Sequence, residues 1–140
     1  MAMPPTSPLL GRRYVLPEPV SQTLERIFDE PVARVEVIEY SRYAQAHLGM
    51  FATTRPNRIL LAAGGDEFVA SPEVLLHEYF HVLRQWGTGR MTRLRYLVES
   101  ARRGYWENRF EREARAFAAA AVEDYARYLQ GALSRRRLHS

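Results

Sequence analysis

The sequence predicts one α+β domain, in which a small, mainly antiparallel sheet packs against a central helix and two further helices. Residues 32–63 contain short alternating apolar runs separated by turn residues, as strands do. Residues 71–129 have apolar positions at helical spacing, with Gly between the periodic segments. The length of 140 residues, 46% of them hydrophobic, suits a single core and excludes a disordered chain.

Composition and charge exclude several classes of site and partner. The chain has no Cys, so disulfide frameworks and thiolate metal sites are excluded. Its 20 basic residues are all Arg and give a net charge of +4, but they alternate with Glu along the helices, as on solvated faces. We therefore expect no nucleic-acid partner.

The sequence also lacks membrane and targeting signals. No apolar stretch approaches the roughly 20 residues of a membrane span. The N-terminus has no charged region followed by an apolar run, so it is not a Sec signal. We therefore expect no membrane partner and a cytoplasmic location, unless a dedicated system exports the protein.

The N-terminal third predicts an arm, a helix and a strand. Residues 1–17 contain four Pro and predict a flexible, loosely packed arm. Residues 19–30 have apolar positions at helical spacing and precede Pro31, which predicts a helix. Residues 32–40 predict a strand, and residues 41–48 predict a short helix or loop.

A predicted hairpin follows. Residues 50–54 and 58–63 read as two strands joined by the turn Arg55-Pro56-Asn57. The second strand lies just before the central helix, so it is a candidate edge that could hold an extended peptide by adding it to the sheet. The alternative is that this strand is purely structural.

The central helix has signals at both ends. Ser71 is a candidate N-cap, Pro72 suits the first helical position and Glu73 places an acid in the first turn. Gly87 suits the C′ position, where a left-handed residue ends many helices. The sequence therefore predicts a helix between Ser71 and Gly87.

Two more helices complete the predicted domain. Residues 92–103 predict a helix that ends at Gly104 and turns four apolar residues inward: Leu94, Leu97, Val98 and Ala101. Residues 108–129 predict a third helix that ends before Gly131. Aromatic residues at helical spacing are expected in the core: Trp86, Trp106, Phe110 and Phe117. These elements predict a single domain over residues 18–134, followed by a basic tail at residues 135–140.

The central helix carries the pattern H-E-x-x-H at His77, Glu78 and His81. Two imidazoles four residues apart lie one turn apart on one helix face, so both can bind a single metal ion. The Glu beside the first His lies at the rim of that face, where it can take a proton from a metal-activated water. The pattern therefore suggests one Zn²⁺ ion and hydrolysis of an amide bond, with Glu78 as general base.

Such a site needs a third ligand, and the chain offers few. The two remaining His residues are His47, which precedes the hairpin, and His139, the penultimate residue. A carboxylate on the last helix is therefore favoured, and the candidates there are Glu107, Glu111 and Glu113.

Glu111 is the preferred third ligand. Ala114 and Ala118 follow it on the same helix face and allow a second helix to approach closely. Glu113 projects about 200° away from Glu111 around the helix, so both cannot be ligands. The alternative role of Glu111 is structural, because with Asn108 as N-cap it occupies the N3 position of a capping box.

Three stretches carry a family resemblance: residues 49–54, residues 58–63 and the run from Val74 to Trp86 that contains the motif. They resemble segments of the DUF4157 group of bacterial zincin metallopeptidases, whose members are often associated with contractile injection systems and toxin loci. The resemblance covers roughly residues 35–120. It implies a zincin-like fold and peptidase activity that depends on zinc.

The residues from Asn108 to Ala114 resemble the third-ligand motif N-P-x-E-x-E-A of several zincins, including the ImmA/IrrE-type peptidases. This resemblance implies that Glu111 is the metal ligand. The chain departs from the motif at Arg109, which replaces Pro, and at Arg115, which stands where Asp or Asn is usual. Because an Arg cannot accept the N–H of a metal-binding imidazole, we expect a backbone carbonyl or another carboxylate to do so.

The residues and the resemblance together predict a monomeric zinc metallopeptidase with a peptide or protein substrate. Tyr96, Tyr105 and the Arg residues of the second predicted helix are candidate donors to the developing oxyanion. No substrate-binding residues are evident. The alternative function is a non-catalytic, metal-stabilised interaction module associated with a toxin or secretion system.

Overall fold

The computed structural model describes residues 11–46 and 51–138, which form an α+β fold. Within these ranges there are four strands and six helices, and the fourth helix continues directly into a π-helical segment. The strands are β1 (Arg12–Tyr14), β2 (Glu36–Glu39), β3 (Ala52–Arg55) and β4 (Arg58–Leu61). The helices are α1 (Glu18–Phe28), α2 (Arg42–Gln45), α3 (Gly65–Val69), α4 (Pro72–Phe80), α5 (Arg93–Glu107) and α6 (Arg109–Leu138), and the π-helical segment spans His81–Trp86.

The sheet is mixed, and two of its three strand pairings are antiparallel, in agreement with the expectation of a mainly antiparallel sheet. Its strand order is β1-β2-β4-β3. The outer pairings, β1 with β2 and β3 with β4, are antiparallel, whereas the central pairing of β2 with β4 is parallel. The predicted hairpin is confirmed for β3 and β4, and its second strand returns between β3 and β2.

The position of β4 overturns its expected role as a peptide-binding edge. Ile59, Leu60 and Leu61 are successive residues and all are buried, so both faces of this strand are covered. Such continuous apolar runs are typical of interior strands. The sheet edge nearest the central helix is therefore β3, whose burial pattern alternates between buried and half-buried residues.

The end of the expected N-terminal arm belongs to the sheet. Arg12–Tyr14 pair antiparallel with β2, and an ion pair joins Arg12 to Glu39 at 2.8 Å. The hydroxyl of Tyr14 donates to Asp66 at 2.8 Å and so connects this strand to α3. Residues 12–14 are therefore not loosely packed, and residues 1–10 lie outside the described ranges.

The main core lies between the sheet and the helices α1, α4 and α6. The ring of Phe117 on α6 stacks on Phe28 of α1 and on Phe80 of α4, with ring centroids 5.1 and 4.8 Å apart. Ala114 and Ala118 are buried on the face of α6 that α4 approaches. This packing confirms the prediction that small residues allow close approach beside Glu111.

The ends of the central helix differ in detail from the prediction. Ser71 is at the N-cap position, but its hydroxyl donates to the carbonyl of Glu67 and makes no side-chain cap bond. Gly87 follows the helix with a right-handed φ of −66°, so it is not a left-handed C′ residue. The left-handed residue is Gly89, with φ of +76°.

The second predicted helix differs most from expectation. Its four apolar residues do not face inward: Leu94, Leu97, Val98 and Ala101 are all exposed. The helix bends at Gly104, whose φ of +79° suits glycine, and then continues to Glu107. Trp106 is also exposed rather than in the core. This helix forms one wall of an open cleft, and Leu97 is the one of its four apolar residues that lines the cleft.

The last helix is longer than predicted. α6 runs through Gly131 and the Arg residues 135–137 to Leu138, because Ala132 still packs against the protein and Gly131 has no positive φ. The basic tail is therefore helical up to residue 138, and residues 139–140 lie outside the described ranges. No helix within those ranges is both long enough and apolar enough to cross a bilayer.

Candidate metal centre

Three side chains lie close together where α6 packs against α4 and its π-helical continuation: His77, His81 and Glu111. The Oε1 atom of Glu111 lies 2.9 Å from Nε2 of His77 and 2.9 Å from Nε2 of His81, and the two Nε2 atoms are 3.0 Å apart. A tetrahedral zinc ion with bonds of about 2.0–2.1 Å separates its ligand atoms by roughly 3.3 Å. The three atoms therefore nearly match such a site before any adjustment.

The positions of these side chains follow from their helices. His77 lies on the last turn of α4 and His81 begins the π-helical segment, so their four-residue spacing places both imidazoles on one side. Glu111 lies in the first turn of α6, and the buried Ala114 beyond it lets α6 approach the imidazoles. The structure thus brings together the three residues predicted to bind the metal.

The amide of Gln85 fixes the orientation of His81. Its Nε2 donates to the carbonyl of Phe110 and to Glu113, both at 3.0 Å, so its Oε1 is the atom that faces Nδ1 of His81 at 2.6 Å. His81 must then carry its proton on Nδ1, and its Nε2 presents a lone pair to Glu111. A lone pair and a carboxylate at 2.9 Å repel each other unless a proton or a cation lies between them.

This donor set suits a metal ion. The side chains of His81 and Glu111 are buried, while His77 is partly exposed. Two imidazole nitrogens and one carboxylate oxygen are ligands that zinc accepts. A buried cluster of His77, His81 and Glu111 could therefore hold a metal ion, with one further position open to the cleft.

The electrostatics of the cluster agree with this assignment. Burial would raise the pKa of Glu111, but its hydrogen bonds to His77 and His81 hold the pKa of this carboxyl far below its ordinary value. Burial would lower the pKa of His81, but the hydrogen bond to Glu111 and the charge of Glu78 outweigh it and raise that pKa. The pocket therefore favours positive charge between the imidazoles and the carboxylate.

The partner of His81 corrects one expectation. A backbone carbonyl or a carboxylate was expected to accept its N–H, whereas Gln85 of the same helix does so. The π-helical turn that contains Gln85 closes with a bond from the Gly87 N–H to the carbonyl of Val82 at 2.8 Å. Such turns are frequent at functional sites. Arg115 turns away, since its guanidinium donates to the carbonyl of Trp106 and stacks on that ring at 4.0 Å.

Tyr96 positions the carboxylate of Glu111. Its hydroxyl donates to Oε2 of Glu111 at 2.7 Å, which leaves Oε1 directed at the two imidazoles. Of the two tyrosines predicted as oxyanion donors, Tyr96 is therefore occupied with the ligand. Tyr105 remains a candidate, because it lines the cleft beside Glu78.

Glu78 lies in the same cleft as the cluster. It is half-buried and lines the cleft with His81 and Glu111. Burial raises its pKa above the ordinary value, His81 and His77 oppose this change, and the charge of Glu111 adds to it. A carboxylate with a raised pKa is a better proton acceptor near neutral pH than an ordinary one.

The other proposed ligands are not in the cluster. Glu107 is exposed, and Glu113 bonds to Gln85 and forms an ion pair with Arg90 at 2.6 Å. His47 and His139 lie outside the described ranges. Among the residues the structure describes, no second group of three metal-binding side chains is found.

The alternative role of Glu111, as the N3 residue of a capping box, is wrong. Asn108 does cap α6, because its Oδ1 accepts the N–H of Phe110 at 2.8 Å. The N–H of Asn108 bonds to the carbonyl of Tyr105, so Glu111 does not complete a capping box. Its carboxylate is therefore available to the imidazoles.

An open cleft of about 290 Å³ leads to the cluster. One wall is the edge strand β3, and the opposite wall is formed by Met91 and α5. Trp86 lies between the walls, and its indole N–H donates to Thr54 of β3 at 3.0 Å. The cleft therefore places a free sheet edge, a candidate base and a candidate metal site together.

The sequence-based prediction lacked two supporting roles, those of Gln85 beside His81 and of Tyr96 beside Glu111. Gln85 had a detectable signal, since it lies four residues after His81 and so on the same helix face. No pattern in the sequence indicated that Tyr96 bonds to Glu111, because that bond depends on how α5 crosses α6. No family model, curated protein or solved structure matches this chain.

Proposed function

We propose that this protein is a zinc-dependent peptidase of minimal size. The observation that carries the proposal is the convergence of His77, His81 and Glu111 beside Glu78 in one open cleft. Two His and one carboxylate form the ligand set of several catalytic zinc sites, which keep a fourth position open. When bound, zinc would supply Lewis-acid activation of water and of the substrate carbonyl.

Glu78 is the general base in this proposal. It accepts a proton from the water whose oxygen attacks the carbonyl carbon of the scissile bond. It then donates that proton to the amide nitrogen as the C–N bond breaks, so that a carboxylate product and an amine product leave. The raised pKa of Glu78 favours both steps, since a weakly basic carboxylate would take and return the proton less readily.

The edge strand β3 holds the substrate backbone in an extended form. The bond from the Ala62 N–H to the carbonyl of Phe51 fixes which residues of this strand face β4. Thr53 and Arg55 therefore pair with β4, and the N–H of Ala52 and Thr54 points to the open edge. An added peptide strand can bond to these groups and present its own carbonyls to the centre.

Tyr105 supplies a donor for the developing oxyanion. It lines the cleft, and burial together with the charges of Glu111 and Glu78 raises its pKa to about 12. The hydroxyl therefore keeps its proton over the working range of pH and can donate it in a hydrogen bond. Tyr105 thus replaces Tyr96 as the proposed donor to the oxyanion.

The resemblance of residues 74–86 and 108–114 to zincins supports the same function. A second candidate is a non-catalytic module in which the metal only joins α4 to α6. It is favoured by one observation, namely that Glu111 crosslinks two helices whose ligands are 30 or more residues apart in sequence. The two candidates differ in whether the zinc-loaded protein cleaves peptides with Glu78 as its base.

The Glu78→Gln variant separates these candidates. It keeps the shape of the side chain but cannot take a proton, so we expect it to bind one equivalent of zinc and to cleave peptides at least about 10³-fold more slowly than the wild type. Metal content and cleavage of a mixed-sequence peptide library are the measurements. The Glu73→Gln variant, which changes an exposed acid on the same helix, is the control.

Two results would contradict the proposal. One is full activity in the Glu78→Gln variant with zinc bound. The other is the absence of cleavage by zinc-loaded wild-type protein across the library, which would favour the module in which the metal joins the helices.

A further inference from the structure

The cleft walls carry two positive side chains that are paired with no carboxylate of the cleft. Its Arg residues are Arg55 on β3 and Arg93 on α5. The two acids of the lining are Glu78, which serves as the base, and Glu111, which faces the imidazoles. No carboxylate of the cleft therefore remains to pair with either Arg.

Arg55 is a fixed positive group. Its guanidinium donates to the carbonyl of Thr54 at 2.8 Å and to the hydroxyl of Tyr43, and it stacks on the Tyr43 ring at 5.0 Å. All these partners are neutral. The charge of Arg55 is therefore held in place at the end of β3 without being neutralised.

Arg93 has no anionic partner among the described residues, whereas two other Arg residues near or on α5 do. Arg90 pairs with Glu113 at 2.6 Å, and Arg103 pairs with Glu99 at 3.1 Å. Arg93 is exposed and is the first residue of α5, whose first turn contains no acid. A cation is unfavourable at the positive end of a helix dipole, so this position attracts an anion from outside the chain.

An apolar surface adjoins this charge. Leu97 lies one turn after Arg93 on the same side of α5, lines the cleft and is 64% exposed. Met91 and Tyr105 line the cleft as well. An exposed Leu in a cleft wall gains from contact with an apolar group that excludes water.

The distance between Arg93 and Leu97 matches the distance between alternate residues of an extended peptide. Arg93 and Leu97 are four helical residues apart, which corresponds to about 6 Å along the helix axis. Alternate residues of an extended chain point to the same side and are about 6.6 Å apart. One peptide can therefore place an apolar side chain on Leu97 and an acidic side chain on Arg93 when a single residue separates them.

We propose that the cleft selects extended polypeptides in which a large apolar residue and an acidic residue are separated by one position. The acidic side chain pairs with Arg93, the apolar side chain packs on Leu97, and Arg55 adds to the attraction for negatively charged segments. This inference rests on the proposed peptidase function and names its substrate class.

Peptide binding by the zinc-loaded Glu78→Gln protein tests the proposal without turnover. The probes are fluorescent peptides that contain Leu-Ala-Glu or Glu-Ala-Leu, with matched peptides in which Gln or Lys replaces Glu. In fluorescence anisotropy we expect the better of the two Glu peptides to bind at least about tenfold more tightly than its Gln form, and the preference to weaken as salt is raised.

Reversing the charge of Arg93 tests whether this residue causes the preference for Glu peptides. Arg93→Glu, made in the Glu78→Gln protein, should remove the preference for Glu and favour the Lys peptide. Arg102→Glu is the matched control, because nine residues place Arg102 on the opposite side of α5, and it does not line the cleft. Leu97→Ser should weaken all Leu peptides by a similar factor while it leaves the Glu-over-Gln ratio unchanged.

The proposal is overturned if Glu and Gln peptides bind equally, or if Arg93→Glu changes binding no more than Arg102→Glu does. Failure of the proposed function is distinguishable from this result. If wild-type protein cleaves peptides without any acidic preference, the peptidase function stands and the substrate class is wrong. If the acidic preference is measured in binding but wild-type protein cleaves none of the peptides, the binding preference stands and the peptidase function is wrong.

Discussion

At the scale of single residues, the candidate centre depends on neighbours that fix two of its three candidate ligands. Gln85 determines which nitrogen of His81 carries the proton, and Tyr96 binds one oxygen of Glu111 so that the other faces the imidazoles. Such partners are typically worth 10- to 100-fold in metal affinity. The geometry of the site therefore depends on five side chains rather than three.

Gln85→Ala tests this dependence. Loss of the acceptor frees the proton on Nδ1 of His81 to move and leaves the carbonyl of Phe110 without its donor. We expect zinc affinity to fall by roughly 10- to 100-fold, measured by competition with a chelator of known affinity. Gln85→Glu combined with Glu113→Gln keeps an acceptor for His81 and gives the new carboxylate an amide donor instead of a second carboxylate, so it should retain more affinity than Gln85→Ala. Equal loss in both variants would show that Gln85 acts only by packing.

The sequence allowed the residues of the cluster to be predicted, but not its supporting bonds. His77 and His81 follow from helical spacing, and Glu111 follows from elimination and from the small residues beside it. The Tyr96 hydroxyl reaches Glu111 only because α5 crosses near the start of α6. A crossing of that kind is a tertiary feature, which periodicity within one helix does not encode.

At the scale of elements, the site depends on the π-helical segment that continues α4 and on the way this segment ends. The segment carries His81 and Gln85 and ends at Gly87. A Cβ atom on Gly87 would lie 2.9 Å from the carbonyl of Leu83 and 3.0 Å from that of Val82. Gly87 is therefore required for space rather than for a left-handed φ, which was the expected reason.

A pair of glycine substitutions distinguishes these two requirements. Gly87→Ala should destabilise the protein by about 1–3 kcal/mol, because backbone carbonyls cannot easily move aside. Gly131→Ala should stabilise it by about 0.5–1 kcal/mol, since this glycine lies inside α6 and only the end of the Arg135 side chain is near. Urea unfolding of both variants measures the changes. A stabilised Gly87→Ala variant would mean that the π-helical turn is not maintained.

Apolar periodicity located α5 but misjudged which of its faces is covered. Leu94, Leu97 and Val98 recur at helical spacing, yet they are exposed. Periodicity shows that a helix has an apolar face, but it does not show whether the core or an open cleft lies beside that face. The strand order was unpredictable for a similar reason, because the apolar pattern of β4 fits an edge or an interior strand until its neighbours are known.

At the scale of the whole molecule, the metal cluster and the core share the same two helices. α4 and α6 pack through Phe80, Phe117 and Ala118, and together with the π-helical continuation of α4 they provide the three candidate metal ligands. An ion that binds only the folded state stabilises it, by about 2.7 kcal/mol at a free concentration 100-fold above its Kd. Folding and metal binding are therefore expected to be coupled.

Alkaline pH should unfold the metal-free protein. Several tyrosines have a pKa above the ordinary value of 10, chiefly because of burial: Tyr14, Tyr79, Tyr96, Tyr105 and Tyr125. A folded-state pKa above the unfolded value means that stability is complete below pH 10 and is lost as pH rises through the folded-state values.

Unfolding in urea between pH 8 and pH 12 measures this effect. Tyr14, whose pKa is about 12 because of burial and its bond to Asp66, should contribute part of the loss. The Tyr14→Phe variant should therefore lose less stability than the wild type over this range. A wild-type free energy of unfolding that stays constant from pH 9 to pH 12 would contradict the expectation.

The most direct test of the central claim is a crystal structure of the zinc-loaded protein, with anomalous diffraction collected at the zinc edge. The account predicts one anomalous peak per chain, with Nε2 of His77, Nε2 of His81 and a carboxylate oxygen of Glu111 at about 2.0–2.2 Å from it. The remaining position should open to the cleft that contains Glu78. A peak coordinated by Glu113, or zinc bound away from the two imidazoles, would contradict the account.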